Sequence, residues 1–153
     1  MNHSPSEIIA NLLVNANKAV FDQLAATGLK WPVFTSVVPD TPDKLLTVYD
    51  TTGIKDGRLE TGETIVHPGW QIMSRSLFPQ SSYRMADLLF QWSDTVVNTN
   101  VTIQAKTVDS MVIPITTYQV VGLFKTGPIL TAGQDEKRRF LFTLNGTTTI
   151  KQL

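Results

Sequence analysis

The stretch from Thr117 to Ile150 limits this chain more than any other: it runs at the two-residue period of a strand, turns, and returns at the same period. Tyr118, Val120 and Gly122 fall on one face of the first run, and Gln119, Val121 and Leu123 on the other. The run from Tyr118 to Phe124 is β-branched and aromatic, and short enough to be a strand. Gly127-Pro128 and Ala132-Gly133-Gln134-Asp135 supply turn chemistry. The chain comes back through Arg139 to Asn145, with Phe140, Phe142 and Leu144 on one face, and continues through Thr147-Thr148-Thr149-Ile150. No catalytic pattern lies in it. It reads as the backbone of a sheet.

Upstream elements must pack on that sheet. Ser4-Pro5-Ser6-Glu7 is a helix start: Ser4 caps, Pro5 sits where its missing N–H costs nothing, and Glu7 closes a capping box. Ile9, Leu13, Ala16, Val20 and Leu24 recur at helical spacing, predicting an amphipathic helix of about six turns that Thr27-Gly28 ends. Trp31 to Val38 and Lys44 to Asp50 read as strands, separated by Pro39-Asp40-Thr41-Pro42-Asp43. Thr51 to Thr64 carries Gly53, Gly57 and Gly62 among charged residues and reads as a long loop, either functional or simply solvated and flexible. Ile65 to Phe78 is a strand interrupted at His67-Pro68-Gly69, where a bulge or an edge is expected. Pro79 opens a second helix, with Tyr83 to about Val97 inside it; Met85, Leu88, Leu89, Phe90, Trp92, Val96 and Val97 give it two apolar sides, and a partner subunit is one candidate cover for the second. Val101 to Thr107 and Met111 to Thr117 form a hairpin through Val108-Asp109-Ser110. The fold expected is α/β (α+β): a mixed, largely antiparallel sheet of roughly five to seven strands flanked by two long helices, in one domain over residues 1–153.

Composition excludes several function classes. Thirteen basic and thirteen acidic residues cancel, so no global basic field holds nucleic acid. Cysteine is absent, which removes disulfides, thiolate metal sites and cysteine nucleophiles. No apolar run approaches the ~20 residues of a membrane helix, and Met1 to Glu7 lacks a signal-peptide pattern, so a soluble cytoplasmic chain is expected. Of the two histidines, His3 belongs to a tail expected to be disordered, and His67 has no second histidine to complete a metal set. Thr51 to Thr64 matches neither a phosphate loop nor an EF-hand, and no Gly-x-Ser-x-Gly elbow occurs. Asp135-Glu136 followed by Lys137-Arg138-Arg139 reads as a solvated turn. Trp31, Trp70 and Trp92 read as core or interface anchors. No enzyme activity, cofactor or metal is expected. Charge is split along the chain: six acids against three bases from Asp40 to Glu63, and six bases against three acids from Gln104 onward. Such halves suit head-to-tail contacts in a ring.

Three segments together resemble a known family. They are Leu46-Thr47-Val48-Tyr49-Asp50-Thr51-Thr52-Gly53, then Trp70-Gln71-Ile72-Met73-Ser74-Arg75 with Tyr83 and Ala86, then Gly127-Pro128, Gly133-x-Asp135 and Arg138-Arg139-Phe140-x-Phe142-Thr143-Leu144-Asn145. In this order they resemble the tail-terminator or minor capsid proteins of long-tailed bacteriophages, also called tail-completion or head–tail joining proteins. The chain departs from that pattern at Gly146-Thr147, where the family has an aromatic. The resemblance implies a structural virion protein: a homo-oligomeric ring, usually a hexamer, that caps the tail tube, ends its polymerisation and meets the head connector. Its partners would be further copies of itself, the tail tube protein and the connector or stopper protein, with DNA passing through the lumen unread. It would be assembled in the host cytoplasm and located at the head–tail junction of the virion. Thr51 to Thr64 would lie in the lumen or at an axial face, and Tyr83 to Val97 at a subunit interface. The interface candidates are Asp50, Lys55, Asp56, Arg58, Glu60, Glu63, Tyr83, Trp92, Arg138 and Arg139. The alternatives are a stopper or adaptor of the connector, a tail-tube protein, and a small hydrolase.

Overall fold

The computed structural model describes the backbone of residues 1–58 and 64–153, and the side chains of 1–53 and 66–153. It contains two α-helices, α1 (Pro5–Asn15) and α2 (Pro79–Ser93). The strands in chain order are β1 (Ala19–Val20), β2 (Trp31–Thr35), β3 (Leu45–Arg58), β4 (Thr64–Ser76), β5 (Val97–Ile103), β6 (Lys106–Val108), β7 (Met111–Ile113), β8 (Thr116–Lys125), β9 (Leu130–Gln134) and β10 (Phe140–Gln152). Eight strands form one sheet in the order β1-β2-β3-β4-β10-β8-β5, with β9 beside the first half of β10; β6 and β7 make a separate ribbon. The pairs β1–β2 and β2–β3 are parallel and the rest antiparallel, so the sheet is mixed and largely antiparallel, as the sequence predicts.

Both helices lie against one face of the sheet, over one core. Ile8, Ile9, Leu12 and Leu13 of α1 and Met85, Leu89 and Trp92 of α2 meet Val33, Leu46, Val48, Trp70, Ile72, Leu144, Tyr118 and Val120 there. Strand parity fixes this: Leu46 and Val48, Trp70 and Ile72, and Leu144 lie two residues apart on adjacent strands. α1 touches both β2 and β5, near opposite ends of the strand order, so the sheet curls around it.

The helix starts agree with the sequence reading, but the first helix end does not. Ser4 Oγ accepts the Glu7 N–H at 3.2 Å, and Pro5 occupies the first turn; the Glu7 carboxylate does not close the expected capping box but pairs with Lys106. α1 then stops after 11 residues, about half the predicted length. Asn17 adopts φ 56°, its N–H donates to the Val14 carbonyl, and the Lys18 N–H donates to the Leu13 carbonyl. This is the left-handed helix stop normally built on glycine, here built on asparagine. Beyond it Leu24 is 95% exposed in a single 3₁₀ turn, Gln23–Ala25. The second helix likewise ends at Ser93, and Val97, expected inside it, is the first residue of strand β5.

Other boundaries are corrected as well. Most of the expected loop from Thr51 to Thr64 is strand: β3 runs to Arg58, β4 begins at Thr64, and Arg58 pairs with Thr64. A two-stranded arm closes its backbone hydrogen bonds across the pair and needs no buried face, so few apolar residues did not mean no structure. The expected irregularity near His67-Pro68-Gly69 appears as a register shift between Thr51 and Ile54 on the facing strand. Ala132-Gly133-Gln134 belongs to β9, with Gly133 at φ 82°, and the turn follows it at Asp135 to Arg138. In β8 an irregularity opposite Thr149 and Ile150 flips the alternation, so Leu123 joins Tyr118 and Val120 in the core while Phe124 is exposed. The hairpin through Asp109 and Ser110 is present, both residues at positive φ as a two-residue turn of this hand requires.

Gly146, where the resemblance breaks, keeps its pairing with Trp70 on one side and Lys125 on the other. The Trp70 indole fills the space a side chain would take: a Cβ at 146 would overlap Trp70 Cζ2 and the Phe124 carbonyl. The bulky group is supplied by the neighbouring strand.

Candidate interface surfaces

The densest polar cluster joins two connections that are far apart in sequence. Arg75, on β4 and only 2% exposed, donates through Nη2 to the carbonyls of Pro39 at 2.8 Å, Asp40 at 3.2 Å and Pro42 at 2.7 Å. Arg139 enters from β10's start and is buried too; its Nε donates to Asp135 Oδ2 at 2.7 Å, and its Nη1 lies 3.3 Å from Asp43 Oδ1. Arg139 also donates to the Asp40 carbonyl, and Lys137 pairs with the Asp40 carboxylate. Burial, and after it the neighbouring Arg139 charge, pull the Arg75 pKa down. Burial pushes Asp135 up, but backbone and side-chain hydrogen bonds from Arg139 outweigh it and hold its carboxyl below the ordinary range. The hydrogen bond from Lys137 lowers Asp40. The cluster is a latch tying the β2–β3 connection to the β9–β10 turn.

This corrects two sequence readings. The Asp135 turn is not simply solvated: Glu136, Lys137 and Arg138 are exposed, but Asp135 accepts the Lys137 and Arg139 N–H groups and Arg139 is buried. The opposite-signed halves also meet within one chain, since Asp40 and Asp43 pair with Lys137 and Arg139.

The structure scatters the predicted interface residues. Asp50 is exposed at its edge, yet both its oxygens are held: Ser6 N donates to Oδ1 at 2.7 Å and Ser6 Oγ to Oδ2 at 2.8 Å, fixing β3 to the start of α1. A carboxylate there also suits the positive end of the helix. Tyr83 is half exposed and sits edge-on to Phe142 with ring centroids 5.5 Å apart. Trp92 lies in the chain's own core, and Arg139 in the latch, while Arg138 points to solvent at φ 58°. Lys55, Asp56 and Arg58 place their backbones in β3 with side chains outside the described residues; Glu60 and Glu63 lie outside the described residues altogether.

One of the two histidines differs from expectation. His3 is ordered and 3% exposed, with Nδ1 at 3.0 Å from the Tyr118 hydroxyl and the two rings edge to face. The amino-terminal segment therefore packs on β8; the nearest sequence signal was the helix start at Ser4, which anchors the chain one residue later. His67 Nδ1 meets Thr149 Oγ1 at 2.8 Å, bridging β4 and β10. Among the described residues no three His, Asp or Glu side chains converge as a metal site would require, and no helix is long and apolar enough to cross a membrane.

What remains is surface suited to contact. α2 turns Met85, Ala86, Leu89 and Trp92 inward and leaves Tyr83 and Leu88 exposed, a narrower outer apolar side than the sequence pattern implied. Phe21, Leu24 and Leu29 stand exposed on the segment between β1 and β2, and Val108, Met111, Val112 and Ile115 on and beside the β6–β7 ribbon. The sheet face away from the helices carries Tyr49, Gln71, Met73, Thr143 and Asn145, with the Gln71 amide donating to Asn145 Oδ1 at 2.8 Å. β9 offers a fully exposed edge strand. These features present edges and apolar faces.

A family model described as bacteriophage tail terminator protein matches residues 13–152. No curated protein matches the chain.

Proposed function

The chain belongs to the bacteriophage tail terminator family, and from that premise we propose that it forms a closed ring, of six copies, at the top of the phage tail tube. The ring ends tube polymerisation and joins the tail to the head connector. The observation that carries this reading is the family match over residues 13–152, nearly the whole chain. Membership places the protein in the phage tail, a structural role in the virion. The finer reading draws support from the exposed apolar groups on the 21–29 segment, α2 and the ribbon, which are surfaces a ring would bury.

The mechanism is occlusion of an interface. One axial face matches the tube's end, and the opposite face fails to repeat it, so no further tube subunit adds. The β3–β4 arm, Thr51 to Thr64, reaches the tube or connector in the lumen or at an axial face, and the exposed side of α2 around Tyr83 and Leu88 faces a neighbouring subunit. With thirteen basic and thirteen acidic residues, DNA passes through the lumen without being read. No cofactor, metal or catalytic group takes part. Assembly takes place in the host cytoplasm.

Native mass spectrometry and negative-stain microscopy of the purified protein, alone and with growing tail tubes, test this. Closed rings that shorten or cap tubes are expected. A chain that stays monomeric with tubes present overturns the ring, long fibres formed by the chain alone point to a tube protein, and rings that bind only the portal side point to a stopper or adaptor.

A further inference from the structure

Two surfaces of the chain are unsatisfied in complementary ways. The first is the β6–β7 ribbon. Its register pairs Val108 with Met111 and Lys106 with Ile113, which puts Lys106, Val108, Met111 and Ile113 on one face, with the Lys106 ammonium already paired to Glu7 of the same chain. Met111 is 70% exposed and Val108 also stands open, and the two strands pack extensively only on each other. A lone two-stranded ribbon is marginal in water, so an apolar face on one calls for a cover. Asp109 sits at the tip in the turn, and among the described residues no ion pair holds it.

The second surface is concave. A cleft of about 160 Å³ lies between the segment before β2 and the start of α2, lined by Leu29, Trp31, Lys44, Arg84, Met85 and Leu88. Leu29 and Leu88 are exposed at its rim. Its charged groups are cations: Lys44 stacks over the Trp31 ring at 5.9 Å, and Arg84 has no ion pair among the described residues. An apolar trough with two unneutralised cations fits an apolar knob that carries a carboxylate.

We propose that the ribbon of one copy seats Val108 and Met111 in this cleft of a second copy, with Asp109 against Lys44 and Arg84. The occupant is a second copy because the same chain carries both halves: a convex apolar face with one carboxylate, and a concave apolar face with two cations. A flexible methionine beside a valine suits a shallow trough. The contact joins two different patches, so it is heterologous, and such contacts repeated around an axis close a ring. The proposal rests on the ring reading given above and names the surfaces that build it.

Because the chain contains no cysteine, the test runs on a clean background. The full chain carrying Met111→Cys and Leu88→Cys is assembled and treated with a short bismaleimide, then resolved on a denaturing gel. A ladder of covalent multimers is expected, ending at the ring number, and an equal mixture of the two single variants yields linked dimers only. Met111→Cys with Phe124→Cys, an exposed residue outside the cleft, is expected to give no ladder. In parallel, Asp109→Lys and Arg84→Glu each raise the concentration needed for half-assembly about tenfold, and the two together recover most of it, with thermal melts showing each variant folded. Rings visible by microscopy that give no ladder, or single charge variants that assemble as the parent does, overturn the ribbon contact and leave the ring standing. A folded chain that never forms rings overturns both.

Discussion

Arg75→Met is the sharpest perturbation of this fold. The methionine keeps the aliphatic bulk but removes the donors that reach Pro39, Asp40 and Pro42, all within 3.2 Å of Nη2. Breaking a buried pair from one side costs about 3–5 kcal/mol when the stranded partners stay dry. Here they do not: the stranded carbonyls belong to Pro39 and Pro42, which are half-buried, and to Asp40, which is exposed, and a connection that loses its clamp can open to water. The expected loss is therefore about 2–3 kcal/mol, or roughly 4–12 °C in Tm for a chain of this size. Urea and thermal melts measure it, and limited proteolysis reports new cleavage between Ser36 and Lys44. Asp40→Asn removes only a solvent-facing partner and is expected to melt with the parent. Acid adds a second signature. Asp135 has its folded pKa lowered below the ordinary 3.8, so its contribution is complete above 3.8 and is lost as the pH falls through the lower folded value. Arg139→Met removes the side-chain hydrogen bond and the charge that contribute to that shift but keeps the backbone N–H groups of residues 137 and 139, so it should make the acid limb of stability against pH shallower without abolishing it. If Arg75→Met melts within about 1 °C of the parent, or Asp40→Asn costs as much, the latch is not what holds these connections.

Three further changes test the local reasoning. Asn17→Gly relieves the residual strain of φ 56° and should stabilise the chain by a few tenths to about 1 kcal/mol, whereas Asn17→Ala should destabilise it by a similar amount, both read from urea midpoints. Gly146→Val drives a branched side chain into the Trp70 indole and should cost about 3 kcal/mol or prevent folding; a shift in Trp70 fluorescence would locate the damage there. Asp50→Ala frees Ser6 N and Oγ and should cost about 1–2 kcal/mol, while Asp50→Asn, which still presents an acceptor, should keep most of it.

Local pattern carried β2, the inner parts of β3 and β4, β8, β10, the two helix starts and the Asp109-Ser110 turn, because each depends on residues within a few positions of one another. It failed where the deciding partner lies far along the chain or where an unusual residue does a familiar job. Asn17 stops α1 as glycine usually does, and a periodicity search runs straight through it into Val20 and Leu24. His3 looked like a free tail because Tyr118, which receives it, is 115 residues away. The β3–β4 arm reads as a loop in sequence because amphipathic patterning registers alternation of apolar and polar residues, whereas this arm is defined by the backbone pairing of two strands. Arg75 was read only as part of a strand; its partners at Pro39 to Asp43 come 32 to 36 residues earlier, and Asp135 and Arg139 some sixty later.

The latch also changes what the surface can use for assembly. Equal numbers of acids and bases suggest a surface of mixed charge able to match a neighbour pair by pair. Yet several of the charges spread along the chain are satisfied internally: Asp40, Asp43 and Asp135 by Arg75, Lys137 and Arg139, and Glu7 and Asp94 by Lys106 and Lys125. Among the described residues, setting those pairs aside leaves exposed apolar groups, a bare strand edge at β9 and charges without an ion pair, of which Arg84 and Asp109 are two. Contacts built from such groups draw their strength from apolar burial and their register from a small number of charges.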